Sequence, residues 1–360
     1  MSAQDQDSKI VILGANSKVG VELCMYLDLF KNISLIAIVR TEYAATLLKK
    51  LGITYLSGDI FQNSVIQRAI SDADLVFDLA APSKIMINEI KSFYKYRLEK
   101  VFQYMSSGSV FVFASTQAAF GYKEPIYPKL KYYFFPRSVY AANKRYAEDI
   151  CTKLGKQSGI NVFLLRLGDV HGVMQDPSIL LKDLIRQGYS FTVSNNPANT
   201  VFVCEIAQAL VNITKKMELP GLYTMVSYYS WSWRELLLYM ASCEKKDVKI
   251  NLIGNSKRGV NGYFYFLKNS IFNFVVTRRD LLMANLAFLS SYIPIMKNRM
   301  LSKRVEMEIQ KIKFNPEYTG LDRFIGVLPG KRMESLLDIK ETISGHEREM
   351  QKKMSSILEQ

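Results

Sequence analysis

Lys9-Ile10-Val11-Ile12-Leu13-Gly14-Ala15-Asn16-Ser17-Lys18-Val19-Gly20 is an apolar, β-branched run broken at Gly14 and followed by helical spacing. A buried strand that ends in a small-residue turn and opens a helix presents free backbone N–H groups above its carboxyl end. A pyrophosphate fits there. Gly14 permits the tight turn, Ser17 stands where a close backbone approach needs a small side chain, and Gly20 lets the helix pack on the strand. Alone, the pattern also fits an ordinary strand-to-helix turn, so the rest of the chain has to decide.

With 360 residues and 49% hydrophobic content, the chain supports one large domain plus a smaller one. Cys24, Cys151, Cys204 and Cys243 are scattered singly, without metal or CxxC spacing, and no cleavable signal opens the chain. A cytoplasmic setting is expected. His171 and His346 are the only histidines, so no histidine-built metal site is expected. The net charge is +14, and residues 241–360 hold 21 Lys and Arg against 13 Asp and Glu. Anionic substrates or a membrane surface suit that balance. No helix-turn-helix, finger or RNP-type motif points to nucleic acid, and none is expected as a partner.

In chain order, Val21 to Phe30 has helical spacing, and Leu35 to Val39 reads as a second buried strand followed by Arg40. An acidic residue at this place suits ribose hydroxyls, whereas an arginine suits a 2′-phosphate; NADP(H) is therefore favoured over NAD(H). Gly58-Asp59-Ile60 follows a third strand, with Asp59 placed to cap the adenine end. Leu75 to Leu79 runs into Ala80-Ala81, where a cofactor passes close to backbone. The alternation predicts a parallel sheet with helices on both faces.

Val110 to Ala114 leads into Ser115-Thr116-Gln117-Ala118-Ala119-Phe120-Gly121, and Tyr140-Ala141-Ala142-Asn143-Lys144 opens a helix through Ile150. Residues four apart share a helical face, so the Lys144 ammonium is expected near the Tyr140 phenol, lowering its pKa for proton transfer.

The ordered set Gly14…Ser17…Gly20, Gly58-Asp59, Leu79-Ala80-Ala81, Ser115-Thr116…Gly121, Tyr140…Lys144 and Leu165-Arg166-Leu167-Gly168-Asp169-Val170-His171-Gly172 resembles the extended short-chain dehydrogenase/reductase superfamily, the NAD-dependent epimerases/dehydratases. Val201 to Ala207 and Gly221 to Tyr223 are similar to its later strand and helix start and the strand after them. The resemblance implies a Rossmann-type, doubly wound α/β fold with a smaller, mostly C-terminal substrate domain. It implies residues 1–170 for the cofactor domain, with about 200–215 returning to it, and 171–345 for the substrate domain. An apolar, basic insertion falls at about 250–312 and a charged tail at 346–360.

Carried onto this sequence, the resemblance implies Tyr140 as acid/base and Lys144 on the nicotinamide ribose. Counting five back from Gly121, Thr116 supplies the hydroxyl for the reacting oxygen. Gly14, Asn16, Ser17, Lys18, Val19, Gly20, Arg40, Asp59, Ile60, Leu79, Ala80, Ala81, Leu167, Gly168 and Val170 fall on cofactor positions. Ser83, Gln117, Ala118 and His171 fall on substrate positions. Ser17 departs from the usual middle glycine. Gln117 and Ala118 replace the acidic pair of sugar dehydratases, which disfavours 4,6-dehydration. His171 stands where tyrosine is frequent, open to a substrate-facing or a structural role.

The implied enzyme is an NAD(P)-dependent oxidoreductase or epimerase acting on a nucleotide-linked sugar in surface polysaccharide or glycoconjugate synthesis, with a homodimer expected. Basic and aromatic residues in 121–139 suit a base and its phosphates. From Leu281 to Met296 no charge occurs; sixteen residues with Pro294 among them are too short to span a bilayer. The basic-flanked region 259–304 also suits peripheral contact at the inner face of a membrane. Two alternatives stay open: a membrane-associated reductase of a lipidic, sterol-like or polyprenyl alcohol, and a non-catalytic NADP-binding sensor or scaffold.

Overall fold

The computed structural model describes residues 7–81, 90–120, 139–195, 197–227, 231–253, 317–318 and Met333. The strands expected from the apolar runs form: β1 (Ser8–Leu13), β2 (Ile33–Val39), β3 (Tyr55–Ser57), β4 (Leu75–Asp78), β5 (Val110–Thr116) and β6 (Asn161–Leu167). Between them run α1 (Lys18–Leu27), α2 (Thr46–Lys50), α3 (Ser64–Ser71), α4 (Ile90–Tyr104) and α5 (Val139–Ser158). After β6 come β7 (Asp169–His171), α6 (Asp176–Arg186), β8 (Ser190–Ser194), β9 (Thr200–Phe202), α7 (Val203–Thr214), β10 (Gly221–Met225), α8 (Trp233–Glu244), β11 (Ile250–Ile253) and β12 (Glu317–Tyr318).

Seven strands make one parallel sheet in the order β10-β6-β5-β4-β1-β2-β3. Both faces are covered. Ile10 and Ile12 face Leu23 and Met25 of α1 and Ile206 and Leu210 of α7. Val11 and Leu13 face Leu98 and Val101 of α4 and Ala147 and Cys151 of α5. Strands buried on both sides have no polar face to show, which is why they read as continuous apolar runs; each buried aliphatic side chain contributes about 1.5–3 kcal/mol. Because the strands are parallel and in register, Leu13, Val39, Asp78, Thr116 and Leu167 end at one common edge.

The later segments build the second part. β7 pairs with β9, β8 lies between β11 and β12, and α6 packs on α8. Helix α7 instead packs on α1. The chain returns to the large sheet through β10 beside β6, beyond the 200–215 stretch expected to return. No helix among the described residues is long and apolar enough to cross a membrane. The expected features at 121–138, 254–312 and 334–360, the apolar insertion among them, lie outside the described residues.

One buried carboxylate ties the two parts together. Glu22 of α1 is fully buried and accepts from the N–H groups of Val173 and Met174 at 2.9 and 3.0 Å and from Gln175 Nε2 at 2.7 Å. Gly172 makes room for it: a Cβ there would sit 2.1 Å from Glu22 Oε1. One turn earlier, Lys18 pairs with Asp176 across the same junction, both exposed. A second buried carboxylate, Glu205, accepts from Phe202 N–H at 2.8 Å and Ser227 Oγ at 2.6 Å, while its other oxygen has no partner. Burial pushes its pKa up to about 7.

Glu22→Ala leaves three donors stranded and is expected to lower the unfolding free energy by ~3 kcal/mol or more in denaturant titration. Lys18→Ala, which breaks only an exposed pair, is expected to cost less than about 1 kcal/mol. For Glu205 the folded pKa lies above the ordinary carboxyl value, so its ionisation costs stability as pH rises through about 7 and costs nothing in acid. The melting temperature of Glu205→Gln relative to wild type is therefore expected to rise between about pH 5 and about pH 8. A flat difference would contradict it.

Candidate active site

The carboxyl edge of the sheet carries the candidate residues. At the end of β1, Gly14 adopts φ +76°, and a Cβ on it would lie 2.9 Å from Ala80 Cα. The turns after β1 and β4 therefore touch backbone to backbone, with only the methyl groups of Ala80 and Ala81 along that line. Small residues in close contact beside a helix start are what an extended dinucleotide lying along a sheet edge requires. Asn16, Ser17 and Lys18 are exposed there, and the Lys18 and Val19 amides lie ahead of the helix's own hydrogen bonds. Ser17 is the N-cap of α1: its Oγ accepts from Gly20 N–H at 3.0 Å. Its side chain thus satisfies one helix-start donor. The Lys18 ammonium is turned to Asp176, which leaves its backbone amide as its group at the turn.

Arg40 is exposed at the end of β2 and makes no hydrogen bond or ion pair with the described residues. Two residues on, Glu42 accepts from Tyr55 Oη at 3.0 Å and from Ser57 Oγ, bonds that hold its carboxyl below the usual range. The acidic group nearest Arg40 in sequence is thus taken by β3. Asp59 closes the turn before α3, accepting from Phe61 N–H at 2.9 Å, and Ile60 packs on the core. Leu79 N–H bonds Leu13 O at 3.0 Å, joining the same two turns.

On α5, Tyr140, Lys144 and Glu148 recur at i, i+4 and i+8 and meet β5 and β6. Lys144 is buried and donates from Nζ to Ala114 O at 2.6 Å, 4.6 Å from the Phe113 ring centroid and 5.8 Å from that of Tyr140. Glu148, wholly buried, accepts from Ser115 Oγ at 2.5 Å and from Arg166 at 2.9 and 2.7 Å. Arg166 lies 4.3 Å from the Phe120 ring centroid. Burial draws the Lys144 pKa down to about 8, with Asp78 opposing. Tyr140 keeps about half its surface exposed, yet desolvation on its inner side raises its pKa. The expected lowering by Lys144 is therefore corrected: the ammonium is committed to Ala114 O, and desolvation wins over its field. Thr116, half-buried at the end of β5, accepts from Ala118 N–H at 3.2 Å.

Gln117 is buried, donating to Asp169 Oδ1 at 3.1 Å, and its Oε1 has no partner. His171 is corrected as a substrate residue. It is 1% exposed, shares a hydrogen bond of 2.9 Å with Ser178 Oγ, lies 5.8 Å from the Phe202 ring, and burial drops its pKa to about 3. Gly168 answers to packing: a Cβ there would meet Asn199 O at 2.0 Å. Leu167 is buried and Val170 half-buried beside it. Ser83 lies outside the described residues.

Two further groups were not singled out in the sequence. Asp78, at the end of β4, is fully buried and binds Arg97 of α4 bidentately at 2.8 and 2.5 Å. Asp78 Oδ1 also accepts from Ala80 N–H at 3.0 Å, and Arg97 reaches Ala80 O at 3.4 Å. A charge inside each of two apolar strands, Asp78 and Arg166, was the available signal. Among the described residues no cluster of potential metal ligands occurs.

The model of the NAD dependent epimerase/dehydratase family matches residues 10–202. No curated protein matches the chain. Among solved structures, a mutant UDP-glucuronic acid 4-epimerase of Bacillus cereus is similar over 68% of this chain and 86% of its own, at 17% identity and a TM-score of 0.52. A dTDP-glucose 4,6-dehydratase of Bacillus anthracis covers 68% and 84%, at 17% identity and 0.52. A UDP-N-acetylglucosamine 4-epimerase of Methanobrevibacter ruminantium covers 71% and 88%, at 18% identity and 0.51. These likenesses concern the fold. The family match spans more than half of the 360 residues, and the chain belongs to the NAD dependent epimerase/dehydratase family, enzymes of the extended short-chain dehydrogenase/reductase type.

Proposed function

We propose that this enzyme acts on a nucleotide-linked sugar as an NAD(P)-dependent oxidoreductase or epimerase, with Tyr140 as its acid/base. One observation carries the reading. Lys144, anchored to Ala114 O under the end of β5, stands one helical turn from Tyr140 at the sheet edge where the Gly14 turn closes on Ala80. A bound nicotinamide supplies hydride uptake and return. Thr116 Oγ1 and Tyr140 Oη hold the reacting sugar oxygen, Tyr140 moves its proton, and the Lys144 ammonium holds the cofactor ribose and steadies the phenol. The unpaired Oε1 of Gln117 accepts from a sugar hydroxyl.

Arg40, exposed and uncommitted while Glu42 is tied to β3, supports a 2′-phosphate and hence NADP(H). Nucleotide sugars named for the structurally similar proteins, UDP-glucuronic acid derivatives and dTDP-glucose among them, support the substrate class. A place in surface polysaccharide synthesis and a homodimer follow the family resemblance. A cytoplasmic setting agrees with four cysteines scattered singly along the chain, without CxxC spacing.

Tyr140→Phe is expected to lower turnover ~10²–10⁴-fold in a screen of UDP-, GDP- and dTDP-linked sugars while cofactor affinity holds. Unchanged turnover would refute the acid/base assignment. Arg40→Ala is expected to weaken NADPH binding ~10-fold or more and leave NADH binding nearly unchanged, read by fluorescence titration. Equal losses for both cofactors would overturn the NADP(H) preference.

A further inference from the structure

Five charged side chains lie out of water beneath the carboxyl edge of the sheet. Asp78 with Arg97 and Glu148 with Arg166 are closed, bidentate pairs; the fifth, Lys144, is a cation whose hydrogen bond goes to the neutral Ala114 O. The groups acting on Lys144 come from every side. Asp78 faces it from β4, Tyr94 and Arg97 from α4, and Tyr140, Glu148 and Cys151 from α5, with Arg166 of β6 behind Glu148. Asp78 is the strongest influence holding the proton on Lys144, and Arg97 opposes it.

A buried ion pair adds little net stability over apolar residues of the same size. Two things here lie beyond an apolar pair. Asp78 and Arg97 together engage both the N–H and the C=O of Ala80, the residue against which Gly14 closes. They also set a negative field under Lys144 that a neighbouring positive one balances. We propose that Asp78 and Arg97 are a positioning pair for the reaction centre: together they fix Ala80 where the dinucleotide crosses, and within the pair Asp78 holds Lys144 in its ammonium form while Arg97 limits that hold. This rests on the reading of Lys144 as the cofactor-ribose contact.

The two charges act on Lys144 with opposite sign, which gives a test that a scaffold role does not mimic. In the full-length protein, NADPH affinity is measured by fluorescence from about pH 6 to about pH 10, with Lys144→Met as the reference for other titrations. Wild type is expected to lose affinity around pH 8, the region where Lys144 loses its proton. Asp78→Asn leaves Arg97 unopposed and is expected to move that loss to lower pH by about one unit or more. Arg97→Met is expected to move it to higher pH, and Asp78→Asn/Arg97→Met to restore it near wild type. Single-variant shifts of the same sign, or none, overturn the proposal while the wild-type profile stands. If Asp78→Asn fails to fold, Arg97→Met must still titrate above the double variant, and equality overturns it. A profile that survives in Lys144→Met refutes the reading of Lys144 itself, and the pair's role with it.

Discussion

The burial of charge under one sheet edge is the constraint on which the site depends. A charge taken out of water must be paired or neutralised, and the partners available under a parallel sheet are the helices lying on it. Here α4 and α5 each bring one: Arg97 for Asp78, Glu148 for Arg166. Each pair is a fixed point between a helix and a strand end. With Glu148 held by Arg166 and Ser115, the face of α5 is set in rotation, so Lys144 meets Ala114 and Tyr140 reaches the edge. Tyr140 and Lys144 are thus placed by ion pairs buried beneath the edge.

The same logic joins the sheet to the part of the chain that follows it. Glu22 lies within α1, the helix that opens after the Gly14 turn, and its carboxylate gathers three donors from residues 173–175. The segment following β7 is therefore registered against the cofactor helix by hydrogen bonds instead of apolar packing alone. Directional bonds fix the register of this junction more tightly than area burial does, because their strength depends on angle as well as distance. A carboxylate with three donors tolerates little rotation, whereas an apolar contact tolerates more.

The fold was largely legible because strands buried on both faces have no choice of side chain: Ile10 to Leu13, Leu35 to Val39 and Val110 to Ala114 announce themselves, and the glycine at 14 marks where the first ends. Tyr140 and Lys144 were legible for a related reason, a spacing of four on a helix. What sequence did not reveal is partnership across the sheet. Asp78 and Arg97 stand 19 residues apart, Glu22 and Gln175 153 apart, and nothing local links either pair. His171 stayed open between a substrate-facing and a structural role because its burial against Ser178 and Phe202 is a tertiary fact. The Lys18 pairing with Asp176 was equally hidden, because Asp176 arrives from much later in the chain.

The electrostatics of Tyr140 and Lys144 follow from the same burial. Desolvation favours the neutral form of every ionisable group, so it raises the phenol and lowers the ammonium together. An ammonium can ease ionisation of a nearby phenol only while it stays charged itself, and in this layer it stays charged because Asp78 offsets part of its desolvation. The carboxylate at the end of β4 therefore acts on the charge of Lys144, one helical turn from the phenol. Arg97 limits how far that help can go, since removing it would bind the Lys144 proton more tightly and leave Asp78 buried without its partner. The pair is a compromise between two demands: a charge strong enough to keep an ammonium under the sheet edge, and a local balance close enough to neutral to be buried at all.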